Sequence, residues 1–592
     1  MHSSYNPFVD YLNRYTTASP DHEAAFDEFV ASTPPPAAGP LRLETRLERF
    51  LEQQFQTDQP PSVILTGNAG DGKTYLCRRI ATLLQPNHFT DIDWDALIDQ
   101  PIPRNGMHFF IIKDLSELNE EKGKEILKRL AQTLRDPARR ERYLIAANEG
   151  RLRALLSSLS DSDEKDLEEN IRIQLDGKET FSTSPLIVIN LNQVATSTFV
   201  PQTLRWMTDP RHWRDCEHCT AHGHCPISYN AQQLRNEKIA QRIQIFYQLL
   251  EETGEHITFR DMLIHLAYTI SGGKRCADIS DDFQQRRDLS QLAYYENVFG
   301  YSDNKILKRK AHVIRLLDQL KIGRHSVFDI DEFIISGGNT PEQQQEHRQL
   351  FGETVDLYFK HFGQIRRKYL SGNEQEQEVI KWLPHCRRKL FFESSDVKYQ
   401  LLPFRFYQDY QTLLSQPNKR HEEVLRLFLK GLNRAFSRLY LNETEYLFVT
   451  TQYLHSVNQP YPLVLLKLPI VNLQFQIKTA SSHHVDSVTG RLYLEIYPPA
   501  KVHKNTNPVQ WPVGLLQFEY VIRLAMGGHY SILATQCELD VRRLKDQLIS
   551  AFVIEQDQDS ELSPPVEFFV PARNRFEPRR IGIDEHGKIT TM

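Results

Sequence analysis

The stretch SVILTGNAGDGKTYLCRRIATLL, residues 62–84, constrains the fold of this chain more than any other segment. It begins with a short apolar run, continues through a glycine-rich turn and ends with apolar residues that recur at helical spacing. The turn fits G-x-x-x-x-G-K-[ST] at every fixed position, which are Gly67, Gly72, Lys73 and Thr74. The stretch therefore predicts a buried strand, a phosphate-binding turn and a helix, in that order.

Each fixed residue type in this turn has a chemical reason. Glycines let backbone N–H groups close around phosphate oxygens, and the N-terminus of the following helix favours negative charge. The lysine reaches the β- and γ-phosphates, and the threonine hydroxyl ligates Mg²⁺. No NKxD-like guanine signature follows, so we predict ATP with Mg²⁺ as the ligand. The predicted nucleotide-binding residues are Gly67, Asn68, Ala69, Gly70, Asp71, Gly72, Lys73, Thr74 and Tyr75.

Apolar segments alternate with helical stretches between residues 41 and 200. The candidate strands are 62–67, 107–115, 142–150 and 185–193. Continuous apolar runs separated by helices are typical of a buried parallel sheet. This part of the chain is therefore predicted to be an α/β domain with a parallel sheet and helices on both faces.

Three polar residues near the predicted strand ends are candidates for the catalytic site. Asp114 follows an apolar run and is placed to hold Mg²⁺, as the carboxylate of a P-loop enzyme does. Glu117 could orient the attacking water, and Asn148 could act as a polar residue near the γ-phosphate. The alternatives are a helix cap for Asp114, a solvated side chain for Glu117 and a strand-end turn for Asn148.

The sequence leaves an arginine finger open. Several arginines lie in loops or helices from which a guanidinium could reach a phosphate, and only geometry can choose among them: Arg151, Arg205, Arg211, Arg214, Arg260 and Arg275.

A cysteine cluster predicts a structural zinc site. Cys216, Cys219 and Cys225 follow C-x2-C-x5-C spacing, and two cysteines three apart can share one tetrahedral Zn²⁺. Cys276 is the first choice for the fourth ligand, and His222 or His224 is the second. The alternative is a group of buried cysteines that bind no metal.

Composition bounds the class of protein. Hydrophobic residues make up 40% and charged residues 25% of the 592-residue chain, and the net charge is -5, which argues against a uniformly basic nucleic-acid surface. No apolar run approaches the about 18 residues of a membrane span, and the N-terminus has no signal-peptide pattern. The seven cysteines do not form a paired disulfide framework. We expect a cytoplasmic protein with no membrane partner.

Composition also suggests five parts. They are an N-terminal arm with the linker TPPPAAGP (1–45), the ATPase core (46–200), a helical lid with the cysteine cluster (201–290), a helical domain (291–440) and a separate β-rich α+β domain (441–592).

Basic segments and the absence of cleavage motifs bear on DNA. Lys and Arg are interleaved with apolar residues at 304–315, 364–370 and 386–392, so these segments could follow a phosphate backbone or be solvated helix faces. No convincing nuclease motif is present, so we expect no nuclease activity from the chain itself.

Several motifs together resemble the DNA phosphorothioation-dependent restriction protein F family. They are GNAGDGKT, the strand with Asp114, ANEG at 147–150, the cysteine run at 216–230, TFRDML at 258–263 with GGKRC at 272–276, and KGLNRAF at 430–436. The resemblance spans roughly residues 50–545, and only the first motif is highly specific by itself.

The resemblance implies an AAA+-like P-loop ATPase with extra C-terminal domains. Such proteins act with partner proteins in bacterial defence against DNA that lacks a sulfur-modified backbone. Expected partners are therefore other restriction-module proteins, with DNA and further copies of the chain as additional candidates. Many AAA+ proteins place a glutamate directly after the metal-site aspartate, whereas this chain has Leu115 there. A nucleotide-gated signalling or assembly switch, and a DNA-remodelling or loader ATPase of another anti-phage system, therefore remain alternatives.

Overall fold

The structure is a computed structural model that describes most of the chain. The described residues are 5–15, 37–85, 94–136, 138–159, 162–175, 184–221, 223, 225–279, 292–300, 311–352, 360–373, 376–416, 421–451, 462–478, 485–486, 490–499, 507–528, 534–553, 566–572, 575–583 and 588–591. His222 and His224, the second choice for the fourth zinc ligand, lie outside these ranges.

The chain divides into two compact units. The first comprises residues 1–251, 255–403 and 481–488, and the second comprises 252–254, 404–480 and 489–592. The second unit therefore includes helices from the stretch before residue 440 as well as the β-rich segments after it.

A five-stranded mixed sheet forms the centre of the first unit, and most of its strands are parallel. Its spatial order is β2-β3-β4-β1-β5. The strands are β1 (Ser62–Thr66), β2 (Ile102–Arg104), β3 (Met107–Ile112), β4 (Glu141–Ala147) and β5 (Leu186–Asn190). In the parallel register, Ile64 of β1 lies opposite Ile145 of β4 and Val188 of β5. Because β1 has a neighbouring strand on each side and is covered on both faces, every one of its residues is buried.

The sheet differs from the prediction at one edge, because β2 pairs antiparallel with β3. Asn105 and Gly106 join the two strands with left-handed φ values of 52° and 72°. An Asn-Gly pair with two positive φ angles closes a two-residue hairpin, and a hairpin makes its strands antiparallel. The predicted strands also end early, since β3 stops before Asp114 and β4 stops at Ala147.

Helices cover both faces of this sheet, as predicted. On one face, Val63 and Leu65 pack with Leu51, Leu76 and Ile80. On the other face, Ile64 lies in a separate core with apolar side chains of three further helices, among them Leu127, Leu155 and Ile171. Successive strand residues point to opposite faces, so β1 contributes to both cores.

The α-helices that the structure describes in the first unit are numbered in chain order. They are α1 (Pro7–Tyr15), α2 (Arg46–Phe55), α3 (Lys73–Leu84), α4 (Trp94–Asp99), α5 (Glu120–Arg135), α6 (Glu149–Ser157), α7 (Ser162–Leu175), α8 (Val200–Met207), α9 (Pro226–Leu234), α10 (Glu237–Glu252), α11 (Phe259–Ser271), α12 (Tyr294–Asn297), α13 (His312–Gln319), α14 (Phe328–Ser336), α15 (Pro341–Phe351), α16 (Lys360–Leu370) and α17 (Glu376–Glu393).

Within the described residues, the second unit combines four α-helices with two antiparallel sheets. The helices are α18 (Tyr407–Ser415), α19 (Glu422–Ser437), α20 (Leu515–Ala525) and α21 (Thr535–Phe552). The strands are β6 (Tyr446–Thr450), β7 (Leu463–Pro469), β8 (Leu473–Lys478), β9 (Arg491–Ile496), β10 (Val509–Pro512), β11 (Val566–Ala572), β12 (Arg575–Ile583) and β13 (Ile589–Thr591). One sheet has the order β10-β9-β8 and the other β13-β12-β11-β7-β6.

The KGLNRAF motif on α19 holds the second unit together. A Cβ at Gly431 would lie 2.1 Å from the Val521 carbonyl oxygen, so glycine lets α19 approach the α20 backbone. Asn433 donates to the Tyr446 carbonyl at 2.7 Å, which ties α19 to β6. Arg434 donates to the Leu524 carbonyl at 2.7 Å near the end of α20. These contacts give the motif a structural role.

Candidate functional site

The glycine-rich loop lies between β1 and α3, at the carboxyl edge of the sheet. Gly67, Gly70 and Gly72 have φ values of 151°, 100° and 84°, which side-chain-bearing residues rarely adopt. Gly72 is the N-cap of α3 and provides no side-chain cap for the helix. The first N–H groups of α3 are therefore not capped by Gly72, as an anion-binding helix N-terminus requires.

Lys73 reaches back across this loop. Its Nζ donates to the carbonyl oxygens of Gly67 at 2.9 Å and Asn68 at 2.7 Å. Burial lowers the pKa of Lys73, whereas the carboxylates of Asp71 and Asp114 oppose that shift and Arg260 adds to it. The lysine ammonium thus lies near both Asp114 and Arg260.

Asp71 accepts a hydrogen bond from the backbone of its own loop and also contacts a residue outside the loop. One carboxylate oxygen accepts from the Asn68 N–H at 2.6 Å, and the other lies 2.8 Å from His256 Nε2. The Asn68 N–H also donates to Asn192 Oδ1 at 3.2 Å. Neither Asn192 nor His256 was predicted, because no local pattern marks either residue.

The remaining predicted loop residues differ in exposure. Ala69 is exposed and Thr74 is half-buried. Tyr75 is 38% exposed, and its hydroxyl lies 3.4 Å from the Glu48 carboxylate on α2. Burial and this carboxylate raise the pKa of Tyr75 to about 12. The Tyr75 ring therefore contributes to the contact between α2 and α3, and its backbone belongs to the first turn of α3.

The structure places Asp114 and Asn148 at the same sheet edge as the loop. Asp114 is half-buried, and its Oδ1 accepts from the Ser116 N–H at 2.8 Å. Asn148 is the N-cap of α6, and its side chain accepts from the Gly150 N–H at 2.9 Å. The turn considered as the alternative for Asn148 is thus present. The Asn148 backbone N–H donates to Ser116 Oγ at 3.4 Å, which links the segments that follow β3 and β4.

Glu117 lies differently. Its side chain is 63% exposed and forms an ion pair with Lys113 at 3.7 Å. A carboxylate held at the surface by a lysine is poorly placed to activate water, so this geometry favours the solvated alternative.

Geometry favours Arg260 among the candidate arginines. Its backbone N–H donates to the Gly70 carbonyl at 3.2 Å, and a Cβ at Gly70 would lie 2.8 Å from Arg260 Cβ. It stands in the first turn of α11, which Thr258 and Asp261 cap reciprocally. The others have separate contacts: Arg151 donates to the Leu118 carbonyl, Arg205 pairs with Glu237, Arg211 pairs with Asp209, Arg275 caps with Asp278, and Arg214 is exposed.

The four predicted cysteines line one cavity in the first unit. Cys216, Cys219, Cys225 and Cys276 face it together with residues next to α1. Asn6 Nδ2 donates to Cys216 Sγ at 3.2 Å. Burial raises the pKa of Cys225 to about 11 and also raises that of Cys216 and Cys276, so these thiols keep their protons at neutral pH.

Sharing a cavity is not the same as coordination. Within the described ranges, no three His, Cys, Asp or Glu side chains are grouped so that they could hold a metal ion. Zn²⁺ binding would require the thiols to converge and lose protons. The zinc site therefore stays a prediction.

Searches of protein families, characterised proteins and solved structures return no match for this chain. None of the helices in the described ranges is both long and apolar enough to cross a membrane.

Proposed function

We propose that the chain binds ATP with Mg²⁺ at residues 67–75 and hydrolyses it. The observation that carries the proposal is the loop itself, which has three left-handed glycines, the last of them an N-cap without a side chain, and a lysine amine that donates to the loop carbonyls. Such a loop presents backbone donors and one positive charge to phosphate oxygens. A P-loop NTPase fold of the AAA+ type for the first unit is part of the same proposal.

The surrounding residues fit Mg²⁺ and a transferring phosphate. Thr74 would ligate the metal through its hydroxyl. Asp114 would hold the metal from the end of β3, which is separated from β1 by β4 in the sheet. When bound, Mg²⁺ neutralises charge that develops on the phosphates. Lys73 would exchange its hydrogen bonds to the loop carbonyls for phosphate oxygens. Arg260, which already acts electrostatically on Lys73, would add a second cation in cis.

We further propose, from the motif resemblance, that this ATPase powers a multiprotein bacterial restriction system that senses DNA phosphorothioation. The chain would then act with partner restriction proteins and would not cut DNA alone. ATPase stimulation by DNA or by proteins encoded beside it tests this assignment. Indifference to all of them, or DNA cleavage by the isolated chain, would contradict it.

One observation favours a second candidate, a nucleotide-gated switch that hydrolyses slowly. Leu115 occupies the position after Asp114 and is fully buried, while Glu117 is paired with Lys113 at the surface. Neither residue offers a base beside the loop. Single-turnover kinetics decides between the candidates, because a switch hydrolyses its bound ATP slowly, whereas a motor hydrolyses it fast enough to sustain repeated steady-state turnover.

Lys73→Ala tests nucleotide binding itself. Removing the ammonium should weaken Mg-ATP binding and abolish hydrolysis, since a buried cation over the loop is lost. Lys124→Ala is the matched control, because Lys124 is on the surface of α5 and pairs with Glu120. Unchanged affinity and hydrolysis in a folded Lys73→Ala protein would refute the proposal.

A further inference from the structure

Asp71, the acidic residue of the glycine-rich loop, contacts a histidine from outside the loop. Asp71 is 3% exposed, and its two carboxylate oxygens bond different segments, the Asn68 N–H and His256 Nε2. A Cβ at Gly67 would lie 2.7 Å from Asp71 Oδ2, so the carboxylate packs against the start of the loop. Asp71 therefore joins both ends of the turn to a histidine that follows α10.

Carboxylates from three elements act electrostatically on His256. Asp71 belongs to the loop, Glu251 to α10 and Asp261 to the first turn of α11, and all three raise the pKa of His256 against the effect of burial. Glu251 is held by Ser197, whose N–H and hydroxyl donate to it at 2.9 and 2.6 Å. The net result is a pKa above the usual value of histidine.

We propose that the Asp71–His256 ion pair braces the phosphate-binding loop and makes nucleotide affinity depend on the proton of His256. This inference rests on the proposed nucleotide binding and names a positioning pair for that site. His256 acts through Asp71, and the ligand class is a nucleoside di- or triphosphate with Mg²⁺.

The sign follows from linkage. A bound phosphate adds negative charge beside the pair and so favours protonated His256. Binding and protonation then support each other, and affinity is highest at low pH. As pH rises through the pKa of His256, the Asp71 carboxylate loses the positive charge of His256, and nucleotide binds more weakly.

The experiment compares Mg-ADP affinity of the full-length chain from about pH 6 to about pH 8.5, where one pKa unit of coupling corresponds to about tenfold. The ratio of wild-type to His256→Gln affinity at each pH cancels the titration of the nucleotide. We expect this ratio to decrease by a factor of about three to ten from the lowest to the highest pH. His325→Gln, at an exposed histidine of the same unit, is the matched control and should keep the wild-type profile.

Asp71→Asn is the second variant, because it keeps an acceptor for the Asn68 N–H and removes the charge. It should move the pH dependence to lower pH, since His256 loses its nearest carboxylate. A constant wild-type to His256→Gln ratio, or an unchanged profile in Asp71→Asn, would overturn the inference while leaving nucleotide binding intact. No Mg-ADP binding by the wild type at any pH would instead contradict the proposed function, and this inference with it.

Discussion

Gly70→Ala offers a sharp test of how the loop and α11 fit together. Gly70 has φ 100°, and an added Cβ would lie 2.8 Å from Arg260 Cβ and 3.0 Å from Thr258 Oγ1. The substitution therefore carries two costs, one in the backbone and one in the contact with α11.

Gly39→Ala separates these costs. Gly39 has φ 84°, but no atom of the residues that the structure describes lies within 4 Å of its added Cβ. A left-handed alanine costs about 1–2 kcal/mol at either position. Overpacking against a helix adds about 1–3 kcal/mol at Gly70 alone. We expect Gly70→Ala to lower the free energy of unfolding by about 2–5 kcal/mol, which exceeds the Gly39→Ala effect by the overpacking cost.

Urea unfolding of both variants measures the difference, and Mg-ATP binding measures its effect on the site. Gly70→Ala should also weaken nucleotide binding, because the loop cannot keep its shape against α11, whereas Gly39→Ala should bind normally. Equal losses of stability, or normal binding by Gly70→Ala, would show that α11 does not fix the loop.

Three further results are expected. Asp114→Asn should lower the steady-state ATPase rate by about a hundredfold or more and Glu117→Gln by no more than about twofold, because Asp114 acts electrostatically on the loop lysine whereas Glu117 pairs with Lys113 at the surface. Equal effects would contradict this assignment. Elemental analysis should find about one zinc per chain, and the Cys276→Ser variant should retain less zinc. A wild-type protein without zinc would contradict the predicted zinc site. His265 is buried, takes a hydrogen bond from the Tyr247 hydroxyl, and has its pKa lowered to about 4 by burial. Because the pKa of His265 in the folded state lies below its unfolded value near 6.5, its contribution to stability is fully present above about pH 6.5 and is lost as pH falls towards 4. The free energy of unfolding should therefore decrease by about 2 kcal/mol between pH 7 and pH 5. An unchanged free energy of unfolding in urea over this interval would be inconsistent with a neutral His265.

The central sheet could be predicted because its signal is local. Val63, Ile64 and Leu65 form an uninterrupted apolar run, and burial on both faces requires such a run. The antiparallel β2 was missed because it is only three residues long and carries a proline. Asn105 and Gly106 are a typical hairpin-turn pair, but the stronger apolar pattern of β3 led to the prediction of a single strand there.

The loop residues could also be predicted, but the residues that surround them could not. His256 and Asn192 reach the loop only because the chain after β5 and after α10 returns to the same sheet edge. That return depends on tertiary packing and leaves no spacing in the sequence. Asn148 illustrates a different limit, since a helix cap and a phosphate-facing amide have the same local sequence.

Charge runs were the least informative signal, and this determines how DNA contact should be tested. In the segment 386–392, Arg387 and Arg388 are buried and form ion pairs with Asp331 and Glu296. These cations therefore support the helical part of the first unit, and neutralising them would remove one partner of a buried pair, which costs about 3–5 kcal/mol.

The segment 364–370 retains exposed cations. Arg366 donates to the Ile335 carbonyl at 2.6 Å and is half-buried, so its substitution would disturb the fold. Arg367 and Lys368 are exposed on α16. If they contact DNA, the double variant Arg367→Gln/Lys368→Gln should bind more weakly and reduce the slope of log affinity against log salt by about 2, one for each phosphate contact. An unchanged slope would place any DNA-binding surface elsewhere, because loss of two phosphate contacts must reduce counterion release.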